Sequence, residues 1–501
     1  MDSFVSYVEK INGAVNGFVW GLPMLVLLVG TGILMTFLTK VFQVTHIKHW
    51  IKNTIGGIFK DKHVTAHTGK DDMQISQFQS LCTALAATIG TGNIAGVAAA
   101  ILSGGPGAIF WMWIVAFFGM MTNFSENVLG IYYRRRNERN EWCGGAMYYL
   151  KDGLGAKKGC RKIGAFLAVL FSSFCVLASF GIGNMSQINS IAVNMNSAFG
   201  VPYFATGIIL MVMAGFVIIG GLKRIASVTE RLVPFMAVIY LVCAVSIVVL
   251  NANQLGAVFT SIIKGAFGMR AVGGGIVGSG IAYAMQWGMK RGVFSNEAGL
   301  GSSVMVHSSS NVREPVVQGM WGIFEVFADT IIVCTLTAFA VLSSGLVDLN
   351  TGEVISSSVS TALVAEAFST VYGKAGAAFI AIAILFFAFS TVLGWSQYGG
   401  KGFEYLFGTK NVKIYQTAFV IFILIGATMD LSLAWDLSDT FNGMMAIPNL
   451  IGVIALSGTV MKITKNYVDR KIRGKKIAPM LSAINEIQEL HAQELEEKEV
   501  S

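Results

Sequence analysis

The sequence predicts an all-α polytopic membrane protein. It has about 11 transmembrane helices, a 5+5 inverted repeat with two broken helices, and one accessory N-terminal helix. Three observations predict this. The chain is 54% hydrophobic and only 13% charged, a balance that excludes a soluble multidomain protein of this length. Its apolar runs approach or exceed the roughly 20 residues that cross a bilayer. Two of those runs are interrupted by glycine, at Ala87-Thr88-Ile89-Gly90-Thr91-Gly92-Asn93 and between Gly273 and Gly288. Unpaired backbone at that depth is costly unless it lines a cavity or holds a ligand.

The spans fall at about 18–40, 78–102, 108–133, 163–193, 203–221, 231–251, 273–300, 317–345, 375–400, 413–430 and 437–462. Lysine and arginine alternate between the connections. The 41–77, 134–162, 222–231 and 401–412 loops and the tail are basic, with Arg134, Arg135, Arg136, Lys223, Arg224 and Lys401 among them. The 103–107, 194–202, 346–374 and 431–436 loops are poor in positive charge. The 252–272 loop, with Lys264 and Arg270, is a mild exception. This alternation predicts a multi-pass protein of the plasma (inner) membrane, its N-terminus outside and its C-terminus cytoplasmic. The net charge of +8 then reads as an orientation signal, and no nucleic-acid partner is expected.

Spans two and seven carry the breaks, run in opposite directions and stand five spans apart. The predicted division is therefore residues 1–77 (N-terminus, accessory helix and basic loop), 78–251 (first five-helix repeat), 273–462 (second repeat) and 463–501 (tail). Residues 41–77 mix basic and apolar side chains, as a membrane-surface helix does. The stretch Glu486–Glu499 is acidic and reads as a solvated helical tail. Six cysteines show no CxxC spacing, so neither a disulfide framework nor a zinc site is expected. No basic segment precedes the first apolar run, and no cleavable signal peptide is expected.

Each break has a chemical reading beside a packing one. Gly90, Thr91 and Gly92 free amide N–H groups at the start of a half-helix, where the dipole favours a carboxylate. The carbonyls ending the preceding half-helix suit a cation. A lone glycine pair is more simply a close helix crossing, but two breaks in corresponding halves point to a transporter site at mid-membrane. Gly278, Ser279 and Gly280 are read as the second break, and Trp287 as a lid that limits substrate size. Gln187 and Asn184 share a face of span four; each is either functional or one half of an interhelical hydrogen bond. Ser390 and Thr391 suit sodium, or each bonds its own preceding turn. Glu126 and Glu297 read as acids near the cytoplasmic ends, beside basic residues. Glu325 and Asp329 lie deeper, and would carry a proton or pair with Lys290. His307 receives no role.

The runs Thr83-Ala-Leu-Ala-Ala-Thr-Ile-Gly-Thr-Gly-Asn93, Ser103-Gly-Gly-Pro-Gly107, Cys143-Gly-Gly-Ala-Met-Tyr148 and Gly292-Val-Phe-Ser-Asn-Glu-Ala-Gly-Leu-Gly301 resemble those of the alanine or glycine:cation symporters. The similarity spans about residues 15–475. It implies the leucine-transporter-like fold and cation-coupled import of a small neutral amino acid, alanine or glycine, with sodium as the co-transported ion. Glutamine or D-alanine as substrate, or proton coupling, is the alternative. By the same resemblance Gly90, Thr91 and Gly92 would bind the carboxylate and Thr88 would help hold the amino group. Gln187 would reach the substrate from the third core helix, and Gly278, Ser279 and Trp287 would close the pocket. Ser390, Thr391 and the carbonyls of Ala86 and Ile89 would hold sodium. No acid accompanies Asn93 in the sequence, so a second sodium is not expected there. A pore is disfavoured because no filter motif repeats. An enzyme is disfavoured because neither HExxH nor GxSxG is present. The lipid bilayer and the amino acid are the expected partners, with no obligate protein partner evident.

Overall fold

The computed structural model describes residues 2–67, 74–268, 279–429 and 432–500. Among the described residues, seven helices are long and apolar enough to cross a membrane, and nine are if each of two bent pairs counts as one span. The apolar helix Tyr203–Ile218 and the helix Ser279–Asn296 occupy the places of the fifth and seventh spans. The latter falls outside the nine, holding Gln286, Lys290, Arg291 and Asn296 among its 18 residues.

Local chemistry sets the boundaries. Span one starts well before its predicted limit: helix Asp2–Val19 runs into Leu22–Leu38, with Pro23 in the first turn of the second piece, where its missing N–H costs nothing. Span two opens on a capping box formed by Ser76 and Gln79, runs as Gln77–Thr88, breaks, and resumes as a short turn and the helix Ala95–Gly104. The two halves bend by 58°. Span four is Arg161–Phe180, a π-helical turn at Gly181–Met185, and Ser186–Phe199. Span eight likewise holds a π-helical stretch at Phe327–Cys334. Such bulges aim side chains that a regular helix would turn away. Span nine is the unbroken helix Lys374–Phe407, and span eleven is Ser432–Ala455 bent into Ser457–Tyr467.

The interior holds two apolar clusters, one centred on spans two, five, six, nine and ten, the other on spans one, three, four and eleven. Phe204, Phe216, Val238 and Val242 on spans five and six point outward and are exposed, an apolar surface far too continuous for water contact.

Two expectations are corrected. The acidic tail is not a free solvated helix: Asn485–Val500 packs on the basic end of the molecule, with His491 buried against the Trp142 ring at 5.9 Å and Arg313 bonded to Glu494. Burial, reinforced by Arg134, Arg313 and Arg136, pushes the His491 imidazole down to about 3, so it stays neutral in that contact. Gly280 does not break the span, since Ser279 to Asn296 is continuous helix; Gly273 and Gly278, the rest of the expected break, lie outside the described residues. Span seven breaks about twenty residues later, between Asn296 and the short helix Val304–His307.

Candidate substrate and ion site

The first break begins where Ile89 makes its last helical bond, its N–H donating to the Leu85 carbonyl at 2.8 Å. Gly90 is then required by proximity. A Cβ built on it would lie 2.3 Å from the Thr391 hydroxyl of span nine. Its N–H donates to the Asn93 side-chain oxygen at 2.9 Å, and the Asn93 amide donates to the Asp329 carboxylate at 2.6 Å. Asn93 thus pins the turn to the π-helical stretch of span eight. The Thr91 N–H reaches Gln187 Oε1 at 3.4 Å, a weak bond, while Gln187 Nε2 is fixed by the Ile182 carbonyl at 3.0 Å. Among the described residues the buried Thr91 hydroxyl has no hydrogen-bond partner.

The second break is built differently. Glu297 adopts φ 56, and Gly299 and Gly301 have φ of 95 and 72, so the chain reverses out of the helix over several residues. Both oxygens of Glu297 are held: Trp395 Nε1–H donates to Oε1 at 2.9 Å and the Ser302 hydroxyl donates to Oε2 at 2.5 Å. Asn296 donates to the Thr330 hydroxyl at 3.0 Å, and Thr330 donates to Asp329 at 2.8 Å. Asp329 therefore receives bonds traceable to both breaks. A left-handed, buried carboxylate held from two sides is a strained arrangement of the kind found at functional sites.

A small cavity lies between the breaks. Thr88, Gly90, Thr91, Gly92, Gln187 and Thr391 line it, together with Phe294, Glu297, Trp395 and Asn442. Beside it the Ala86 carbonyl receives the Thr391 hydroxyl at 3.1 Å and the Ser390 hydroxyl at 3.3 Å. The same hydroxyls also bond the Phe387 carbonyl at 3.0 and 2.8 Å. Two hydroxyls and a helix-ending carbonyl converge there as uncharged oxygen donors, a set that suits a hard cation. Ile89, the fourth residue expected at the ion, is buried in the same turn.

Of the residues expected at the second break, Trp287 is not brought to this cavity. It packs beside Gly104 with Lys290 and Arg291 at 5.9 and 5.3 Å from its ring, and Ser279 lies in the first described turn of the helix Ser279–Asn296. Phe294, Glu297, Trp395 and Asn442 take the wall that those residues were expected to form. The sequence carries a signal for this, the close pair Gly299 and Gly301 just after the acid Glu297. The basic pair Lys290–Arg291 masks it by making Glu297 read as an acid near the cytoplasmic end of the span. Lys290 instead pairs with Asp439 at 2.7 Å, not with Glu325 or Asp329. Glu325 pairs with His307 at 2.9 Å, both fully buried, and Glu126 accepts from Asn449. Asn93 does have an acidic neighbour, Asp329, supplied from 236 positions away.

Residues 5–480 match the profile of the sodium:alanine symporter family. The chain belongs to that family. It is 44% identical over 463 residues to the sodium/alanine symporter AgcS of Methanococcus maripaludis, covering 92% of this chain and 98% of that one. It is 36% identical over 470 residues to a probable sodium/glutamine symporter, GlnT, of Bacillus subtilis, with 93% and 92% covered. A Na+-coupled sialic acid symporter, solved in a substrate-bound outward-open state, shares the fold with a TM-score of 0.52 at 12% identity, covering 95% of this chain and 96% of the other. As a family member the chain is a multi-pass membrane transporter, with sodium as its co-transported ion and an amino acid as its substrate.

Proposed function

We propose that the chain imports alanine or glycine, and that the cavity between the two breaks holds the amino acid as a zwitterion. The observation that carries this is the polarity of the cavity. The lining offers the Gly92 amide, the weakly bonded Thr91 amide and the unpartnered Thr91 hydroxyl, while the Gly90 N–H is taken by Asn93 and holds the turn; the same lining includes Glu297. Donors suit the carboxylate and the acid suits the ammonium. Thr88 and Gln187 complete the polar rim. Phe294 and Trp395 bound the space left for the side chain, which favours a methyl group or hydrogen over anything longer. Ser279 and Trp287 belong to the outer layer of this reading, and Gly278 carries no assigned role.

Sodium is taken by the carbonyls of Ala86 and Ile89 and the hydroxyls of Ser390 and Thr391. It ties the end of the first half-helix to span nine, and so fixes the amides that receive the carboxylate. By linkage, the substrate then raises sodium affinity by the same factor. Rocking of the broken helices against the scaffold exposes the cavity to either side in turn. The basic end is the cytoplasmic one in this scheme, with the N-terminus outside.

The test is uptake of labelled alanine into proteoliposomes under an inward sodium gradient, an inward proton gradient, or neither, with unlabelled amino acids as competitors. Sodium-driven accumulation competed by alanine and glycine is expected. Accumulation of glutamine that alanine does not compete would overturn the size assignment. Proton-driven accumulation would move the coupling to the buried acids Asp329 and Glu325.

A further inference from the structure

Span one stands outside the ten helices that form the two repeats, yet it spends polar contacts on one of them. The Asn16 side chain donates to the Thr440 hydroxyl at 2.9 Å and, weakly, to the Asp439 carboxylate at 3.4 Å. The indole N–H of Trp20 donates to the Asp439 carbonyl at 3.0 Å. A Cβ on Gly443 would lie 2.3 Å from Val19, so the two helices approach closely at this point.

Asp439 is the residue that pairs with Lys290 at 2.7 Å, each side chain about 15% exposed. The Lys290 ammonium also lies 5.5 Å from the Trp20 ring. The register places this pair over the cavity. Lys290 precedes Phe294 by four residues on span seven, and Asp439 precedes Asn442 by three on span eleven, so each charge lies about one helical turn above a cavity-lining side chain. A lysine at this depth is costly unless paired. The pair is therefore a closure with two states: joined and shielded, or parted and hydrated.

We propose that the accessory helix is a working part of this closure, with Asn16 and Trp20 acting as positioning residues. They hold Asp439 where it meets Lys290, and so retain substrate in the cavity from the end where spans seven and eleven begin. This rests on the reading of the cavity as the substrate site.

The experiment is release of labelled alanine from the purified full-length protein in detergent with sodium, chased by unlabelled alanine. Lys290→Met and Asp439→Asn should speed release by about 30-fold or more, as expected for parting a shielded charge pair. Asn16→Ala and Trp20→Phe should each speed it by about 3- to 10-fold, the effect of one lost hydrogen bond. Asn16→Ala should add nothing in the Asp439→Asn background. The exchanged pair Lys290→Asp with Asp439→Lys, which keeps the attraction while reversing it, should recover slow release. Unchanged release in Asn16→Ala and Trp20→Phe, with fast release in Lys290→Met, would reduce span one to packing and overturn the proposal. Unchanged release in Lys290→Met, or fast release in the exchanged pair, would overturn the closure itself. Failure of the wild-type protein to retain alanine is a failure of the substrate assignment instead. The series is then run with labelled glutamine, where the same ordering of variants is required.

Discussion

The two breaks face each other across one cavity, but they are made by different means. The first is short. Gly90 permits contact with Thr391 that a side chain would block, and Asn93 re-caps the chain three residues later. The second extends from Glu297 to Ser303, turns through three left-handed residues at Glu297, Gly299 and Gly301, and buries an acid in the turn. The first break presents backbone donors; the second presents a side-chain charge. In the proposed reading the donors take the carboxylate and the acid takes the ammonium, so the two breaks divide the zwitterion between them.

This contrast can be broken at its strongest point by Gly90→Ala. The added carbon would meet Thr391 at 2.3 Å, pushing span nine off the first break. Sodium-driven uptake should fall by about 100-fold or more, read as initial rate in proteoliposomes, since a clash this close costs several kcal/mol. A fall of less than threefold would show that the breaks do not need this contact.

The second break is probed by Glu297→Gln, which keeps the shape and removes the charge. KM for alanine should rise by about 30-fold, the consequence of losing a buried charge partner of the ammonium. If instead kcat falls at unchanged KM, Glu297 shapes the turn without touching the substrate. Ser390→Ala tests the ion side of the first break. The sodium concentration for half-maximal uptake should rise by about 3- to 10-fold, while the rate at saturating sodium stays near wild type. A change in KM for alanine at saturating sodium would place the hydroxyl on the substrate instead. The smallest effect is expected for Trp287→Phe, within about twofold in KM for alanine. A larger rise would return Trp287 to the pocket and shift the second wall outward.

What was legible in the sequence follows the same division. The spans, the alternation of basic loops and the first break could be read because each is a local pattern, and Gly90, Thr91, Gln187 and Thr391 do meet at one cavity. Glu297, Trp395 and Asn442 were missed because their roles arise only from packing. Lys290 reads as a partner for Glu325 or Asp329 until Asp439, 149 positions later, is placed beside it. Asn93 looks unaccompanied until Asp329 arrives from span eight. Buried charges in a membrane protein are assigned by their partners, and those partners are distant in sequence. The tail was misread for the same reason: Glu494 is an exposed acid until Arg313 is placed beside it.

The central claim is that sodium at the first break and the amino acid between the breaks are one coupled event. The direct measurement is equilibrium binding of labelled alanine to the purified protein at rising sodium, and of sodium at rising alanine. The account predicts that each ligand tightens the other by the same factor, and that in Ser390→Ala the sodium needed to tighten alanine rises by about 3- to 10-fold. Alanine affinity that does not change with sodium would contradict it.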